Sequence, residues 1–476
     1  MSFKKNFFRN IFVYGSYSFS TQLVSFLASL ITSRLLLPSD FGLIGLITVF
    51  SNFIIIFSDS GISYAVIRSQ YKSTYHRALN SISVIIGILL CFVFVLLVYP
   101  ISYFYKDATL VLPSFVIAFL FIARSFNTIP VALLQKELKF SAAGKILLTA
   151  TVASTISTII LAYAGFGYWS LIWSQYVNSI VTTIIVYRKK GSWFSFRKPV
   201  LIKSFQLTKI LIGSVTGFNS VNYWARNSDN LIVGKFYGSG DLGIYSRAYL
   251  MLMMPLNIVS SLFSSVLYPS LVKHKHEGGN VENEYYFILK IISLLNILLA
   301  FVLIVFPGLF VKILWGENWM PVANLLPYFG LLVMTQTLMS TLGPLMVLEK
   351  KEKALMYAGW VSAAIMIGGI IYGATVSLTA IAAFYALVYI LLVLPIYIFF
   401  MIGYKLRFTS HLLSFWLPKL FLSFLIWIGL YFSFPKIVVT GFILWILVVF
   451  WDTRKEVFNI TGFILAKSTQ KFSRNA

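Results

Sequence analysis

Charge is scarce in this chain, and acid is the scarcer kind. Only 11% of its 476 residues are charged, against roughly 25% in a typical soluble domain, while 59% are hydrophobic against roughly 45–50%. No water-soluble fold hides that much apolar surface with so few charges, which excludes a string of soluble domains. Cysteine is nearly absent: Cys91 alone excludes an intramolecular disulfide and any multi-cysteine metal site. There is no G-x-x-x-x-G-K-[ST], so nucleotide is not hydrolysed by that route, and no H-E-x-x-H. The four histidines, His76, His274, His276 and His411, fall in or beside expected cytoplasmic loops. No loop between apolar runs is long enough to hold a glycosyl-transfer site. Neither a catalytic residue nor a cofactor nor a metal is expected.

What is present is a series of apolar runs, each near the ~20 residues of a helical crossing. Fourteen candidate helices can be drawn, which predicts an all-α polytopic membrane protein. Lys4, Lys5 and Arg9 precede a run from Ile11 to Leu37 without a small-residue cleavage site, so an uncleaved first helix is expected. Lys and Arg accumulate on the cytoplasmic side of spanning helices. With the N-terminus inside, the cytoplasmic segments carry 27 Lys and Arg and the opposite side five: Arg34, Lys106, Lys235, Lys312 and Lys436. That asymmetry places both termini inside. It also accounts for most of the formal +24 by topology, which removes a nucleic-acid reading.

The most basic loop, Arg188–Lys203, divides the chain. Residues 1–190 form an expected N-lobe of six spans, 191–204 the loop between lobes, and 205–404 a C-lobe of six spans. Two extra helices cover 405–452, and a basic tail 453–476. Across the loop, Arg34–Ile44 aligns without gaps on Lys235–Tyr245, at an offset of 201 residues. A second echo sets Phe104-Tyr105-Lys106-Asp107 against Leu314-Trp315-Gly316-Glu317. Six spans per half give repeats of one orientation, a transporter architecture.

Polar residues recur inside the spans. Ser18, Gln22, Ser25, Ser29 and Ser33 share one face of the first helix. Close packing through small residues and a water-filled cavity both fit that stripe. In the seventh span Thr216, Asn219, Tyr223, Arg226 and Asn230 form a stripe, with Asn222 and Asp229 beside it. A charge inside a membrane helix costs ~2.5–3.5 kcal/mol even on the lenient insertion scale. Arg226 and Asp229 read either as a self-neutralising pair one turn apart or as groups facing substrate or a coupling ion. Arg124 in the fourth span is a second cavity cation, because a guanidinium fork suits phosphate. Arg247 is placed to snorkel, and Lys419 to anchor a lipid headgroup. Asp59 reads as an ion-coupling acid or as a helix cap.

Several of these stretches resemble a known family. Leu36-Leu37-Pro38-Ser39-Asp40-Phe41-Gly42 with Asp59-Ser60-Gly61 resembles the opening of bacterial polysaccharide exporters. Arg226-Asn227-Ser228-Asp229-Asn230 running to Gly238, Leu242-Gly243-Ile244-Tyr245-Ser246-Arg247-Ala248-Tyr249, Pro255, Gly165 to Trp169 and Gly316 to Trp319 are similar as well. The chain looks like the polysaccharide-transport branch of the multidrug/oligosaccharidyl-lipid/polysaccharide exporter superfamily, the Wzx-like flippases. Within that branch it is closest to colanic-acid and teichuronic-acid exporters. The resemblance implies two six-helix bundles forming a V around a central cavity, with two extra helices. It implies alternating-access movement of undecaprenyl-diphosphate-linked oligosaccharide from the inner to the outer leaflet of the cytoplasmic membrane, for cell-surface polysaccharide. A cation-coupled multidrug exporter of the same superfamily is the main alternative, and a glycan polymerase or ligase a more distant one. Expected partners are the lipid-linked substrate, membrane lipids and polysaccharide polymerase or assembly proteins.

Overall fold

The computed structural model describes residues 3–68, 73–137, 139–190, 194–262, 271, 281–342, 345–346, 349, 351–403 and 409–473. Among them there is no strand. The helices are α1 Phe3–Leu35, α2 Pro38–Arg68, α3 Ser73–Tyr105, α4 Val111–Lys136, α5 Phe140–Tyr163, α6 Trp169–Lys190 and α7 Lys198–Leu262. After them come α8 Val281–Val305, α9 Pro307–Leu314, α10 Leu326–Met339, α11 Glu352–Ala374 and α12 Leu378–Val388. A π-helical turn, Tyr389–Val393, leads into α13 Leu394–Gly403, and α14 Thr409–Tyr431 and α15 Pro435–Ser473 close the chain.

Ten described helices are long and apolar enough to cross a membrane, or eleven if the bent segment Glu317–Asn324 with Leu326–Met339 counts as one span. α1 and α6 are long enough. Their serines, threonines and carboxamides hold their hydropathy below that level, the cost of the polar stripes discussed below.

The chain divides into two compact units, residues 1–246 with 314–319, and residues 247–313 with 320–476. In the first, the repeat becomes a physical contact. A Cβ on Gly42 would sit 1.5 Å from the Ser239 carbonyl oxygen, and one on Gly243 would sit 2.0 Å from that of Pro38. Pro38 and Ser239 are repeat equivalents, as are Gly42 and Gly243, so matching segments touch reciprocally, as in a two-fold contact. Only glycine permits such close backbone approach. Asp40 ties the α1–α2 turn down. Its carboxylate accepts from the Leu37 N–H at 2.9 Å and from the Tyr168 N–H at 3.1 Å. Tyr168 follows a turn in which Gly165 and Gly167 both have positive φ, 80° and 52°. Gly238, at φ 77°, kinks α7 near the expected boundary between the seventh and eighth spans. Trp319 packs edge-on against Phe41 at 5.4 Å, and its indole N–H donates to the Ser33 carbonyl at 2.7 Å.

The second unit is held by buried polar contacts between apolar helices. Tyr285 and Thr341 share a hydroxyl hydrogen bond of 2.8 Å, Asn296 donates to Thr337, and the Trp427 indole donates to the Ala383 carbonyl at 2.7 Å. Two expectations are corrected here. Arg247 does not snorkel; it is 6% exposed, packed within the fold. Lys419 is no lipid-facing anchor: it is 1% exposed and forms an ion pair with Asp452 of α15.

Candidate functional site

In the first unit α2, α4, α5 and α6 enclose a cavity of about 710 Å³. Its chemistry comes from side chains at helical spacing. Arg124, Asn127, Thr128 and Gln135 project from α4, and Gln175, Asn178, Ser179 and Thr182 from α6. Ser58 and Ser63 of α2 and Ser154 of α5 add hydroxyls.

The wall is organised by its own hydrogen bonds. Arg124 Nη2 donates to Gln175 Oε1 at 2.9 Å, joining α4 to α6. Asn127 donates to both the carbonyl and the hydroxyl of Ser179 at 3.1 Å, and its own carbonyl accepts from Thr183 at 2.7 Å. Asn178 reaches the Ser154 hydroxyl at 3.5 Å. Held this way, the carboxamides keep fixed orientations, and Arg124 sets a guanidinium in the wall, with the rigid planar fork of that group. Pockets for drug-like ligands are mostly apolar. One guanidinium among carboxamides and hydroxyls instead matches a hydrophilic, oxygen-rich cargo. Among the described residues no three His, Cys, Asp or Glu side chains come together as a metal site.

Of the residues expected from sequence, Arg124 lines this cavity; Gln22, Ser25, Asn219, Tyr223 and Asn230 do not. Gln22 and Ser25 are exposed on α1. Several of their stripe neighbours bond to their own helix: Ser29 to the Phe26 carbonyl at 2.8 Å and Ser33 to that of Ser29 at 2.5 Å. Asn219 and Asn230 are half-buried on α7. The Tyr223 hydroxyl donates to the Val49 carbonyl of α2 at 2.6 Å, so it fastens α7 within the first unit. Asp229 is 4% exposed and accepts from the Tyr245 hydroxyl at 3.2 Å and the Asn230 N–H at 2.8 Å. Arg226 lies on α7 and Asp59 on α2, with side chains outside the described ones. Asn127, Gln135, Gln175 and Asn178 went unread in the sequence. Their signal was present: 174, 175, 178, 179 and 182 recur at three- and four-residue steps along α6, like the stripe on α1.

Comparison with known proteins gives a consistent picture. The chain is 25% identical over 367 residues to the teichuronic acid biosynthesis protein TuaB of Bacillus subtilis, covering 72% of this chain and 70% of that protein. It is 28% identical over 216 residues to the lipopolysaccharide biosynthesis protein WzxC of Escherichia coli, with 42% of each chain covered, so it spans under half of that relative. Among solved structures, it superposes on the lipid II flippase MurJ in an inward closed conformation with a TM-score of 0.67. That match has 13% identity and covers 94% of this chain and 100% of that one. An inward-facing multidrug resistance MATE family transporter follows at a TM-score of 0.56 and 13% identity, covering 80% of this chain and 94% of that one. At such identities the two structures establish the fold alone. A family described as "Polysaccharide biosynthesis protein" matches residues 31–324, more than half of the sequence. The chain belongs to that polysaccharide biosynthesis protein family.

Proposed function

We propose that this protein is a flippase that moves undecaprenyl-diphosphate-linked oligosaccharide from the inner to the outer leaflet of the bacterial cytoplasmic membrane by alternating access, for cell-surface polysaccharide biosynthesis. The observation that carries the reading is the first-unit cavity, where Arg124 is held by Gln175 among carboxamides and hydroxyls. A diphosphate entering hydrocarbon must exchange water for fixed donors, and hydrogen bonds to a charged guanidinium are about twice as strong as neutral ones. The carboxamides offer paired donors and acceptors to sugar hydroxyls. Arg226, by its place in the α7 stripe alone, is a further candidate cation for the substrate's phosphates. Asp229 and Asp59 are assigned to ion coupling or to structure.

The MATE-like fold favours one rival, export of cationic drugs. Among the described residues the cavity carries a cation and no carboxylate, the opposite of what a cationic drug requires. Reconstitution with a defined lipid-linked glycan under imposed ion gradients tests the reading. Leaflet exchange of the glycan that Arg124→Ala lowers by about tenfold or more supports it. Drug efflux without glycan movement would overturn it.

The reading places both termini and the loop around residue 196 in the cytoplasm. Phe196→Cys and Ala108→Cys, each on a Cys91→Ser background, should be labelled by an impermeant thiol reagent from opposite sides. Labelling from the same side would refute the orientation. A polymerase or assembly protein that receives the exported unit completes the proposed set of partners.

A further inference from the structure

In the first unit α3 and the first turns of α7 form a groove of about 530 Å³, which shares no lining residue with the polar cavity. Ile82, Ile85 and Ile86 line it from α3 and Ile202 and Phe205 from α7. Its polar atoms come from Gln206 and Lys209, one turn further along α7. The two walls are fixed to each other. The Ser195 N–H donates to the Ser81 hydroxyl at 2.9 Å, and Ile86 and Leu201 pack on a buried core built by α2, α3 and α4.

The sequence of α3 gives the depth of this groove. Residues 84–104 are uncharged and mainly apolar, a length of about 30 Å and one hydrocarbon thickness. Arg77, Asn80, Ser81 and Ser83 come before them. Ile82, Ile85 and Ile86 therefore stand where hydrocarbon meets headgroups. From there Ile85, Ile88, Leu89, Phe92 and Leu96 follow at three- and four-residue steps, all exposed. A continuous exposed apolar stripe of that kind belongs against lipid chains, so the groove opens onto lipid at its apolar end.

Any lipid chain would satisfy the isoleucines, but the charge around them is selective. Residues 188–209 hold seven Lys or Arg and no Asp or Glu. Gln206 and Lys209 are exposed, and among the described residues neither is engaged by a hydrogen bond or an ion pair and no carboxylate lines the groove. A lysine here lays its stem along apolar surface and carries its ammonium at headgroup level.

We propose that this groove binds an anionic phospholipid of the phosphatidylglycerol class. One acyl chain lies against Ile85, Ile202 and Phe205, and the phosphate accepts from Lys209 and Gln206. A choline headgroup brings its own cation into a region that already holds seven, which offsets the attraction of its phosphate.

The test uses the full-length protein in nanodiscs of phosphatidylglycerol and phosphatidylcholine with matched chains. Lipid retained after transfer to detergent is counted by native mass spectrometry. Phosphatidylglycerol should be retained about fivefold over phosphatidylcholine, the equivalent of ~1 kcal/mol for one lysine at a membrane surface. Lys209→Gln should bring the two lipids to parity without changing thermal unfolding in lipid-free detergent, and Lys209→Arg should keep the preference. Lys203→Gln, at an exposed position outside the groove, should keep it too. Equal retention by the unaltered protein, or a preference that survives Lys209→Gln, would overturn the proposal. An equal loss in Lys203→Gln would reduce the site to a diffuse field and overturn it as well. Glycerol phosphate, a headgroup without chains, should not displace the lipid; displacement by it would remove the role of the groove. Undecaprenyl phosphate displacing phosphatidylglycerol at a lower concentration than phosphatidylglycerol itself would assign the groove to a polyprenyl chain instead. None of these readouts depends on transport.

Discussion

In the register of the sequence repeat α4 and α10 are counterparts, yet they present different faces. On α4, Arg124, Asn127, Thr128 and Gln135 line the polar cavity. In the register that sets Leu314 against Phe104, their counterparts are Met334, Thr337, Leu338 and Leu345, all fully buried. Thr337 is engaged by Asn296. The second half is thus closed and buried at positions where the first half lines an open cavity. The corresponding segment of the second half is built without an arginine or carboxamides at these four positions. An arginine there costs ~2.5–3.5 kcal/mol on the lenient scale, which is the physical ground for the substrate role proposed for Arg124.

The comparison can be broken most violently from the second half. Met334→Arg inserts a charge into the closed seam and should cost at least ~2.5–3.5 kcal/mol. The variant should fail to accumulate in the membrane, by immunoblot of membrane fractions. Normal accumulation would mean that the second half tolerates the polarity of the first. The reverse exchange, Arg124→Met, should leave accumulation intact. It should cut glycan transport by about tenfold to a hundredfold, the loss of ~1.5–3 kcal/mol for a charged hydrogen bond, with Arg124→Lys intermediate because the charge remains without the fork.

The reciprocal glycines sharpen the comparison in a different place. Gly42→Ala and Gly243→Ala each drive a Cβ into a facing carbonyl. Each should lower thermal stability in detergent by about 1–3 kcal/mol, and by similar amounts, because the positions are equivalent. A large loss at one and none at the other would deny the two-fold relation. The smallest effect is expected for Tyr223→Phe. Removing its bond to the Val49 carbonyl should cost about 0.5–1.5 kcal/mol of stability with transport preserved. A selective transport defect in that variant would return Tyr223 to the substrate path.

The helical membrane fold was legible because composition and run length leave few alternatives. So was the repeat, through eleven aligned residues whose equivalents meet at Gly42 and Gly243. Arg124 could be singled out because an arginine within an apolar run has few structural excuses. The carboxamides of α6 were as visible as the serines of α1, since both recur with helical period. Periodicity does not say whether a hydroxyl serves a cavity or its own helix. Ser29, Thr32 and Ser33 bond back to carbonyls of the preceding turn, whereas Gln175 and Asn178 reach other helices. Lys419 was misread for a related reason. Its partner, Asp452, lies 33 residues on and on another helix, beyond any local pattern.

The contact of Pro38 and Gly42 with Ser239 and Gly243 also constrains how such proteins can be recombined. Each segment is shaped by its own duplicate, so the two are inherited as a matched set despite the 201 residues between them. A chimera that exchanges halves between relatives at the central basic loop would bring together segments never fitted to each other. Cut points that keep 38–42 and 239–243 from one parent should yield the working hybrids.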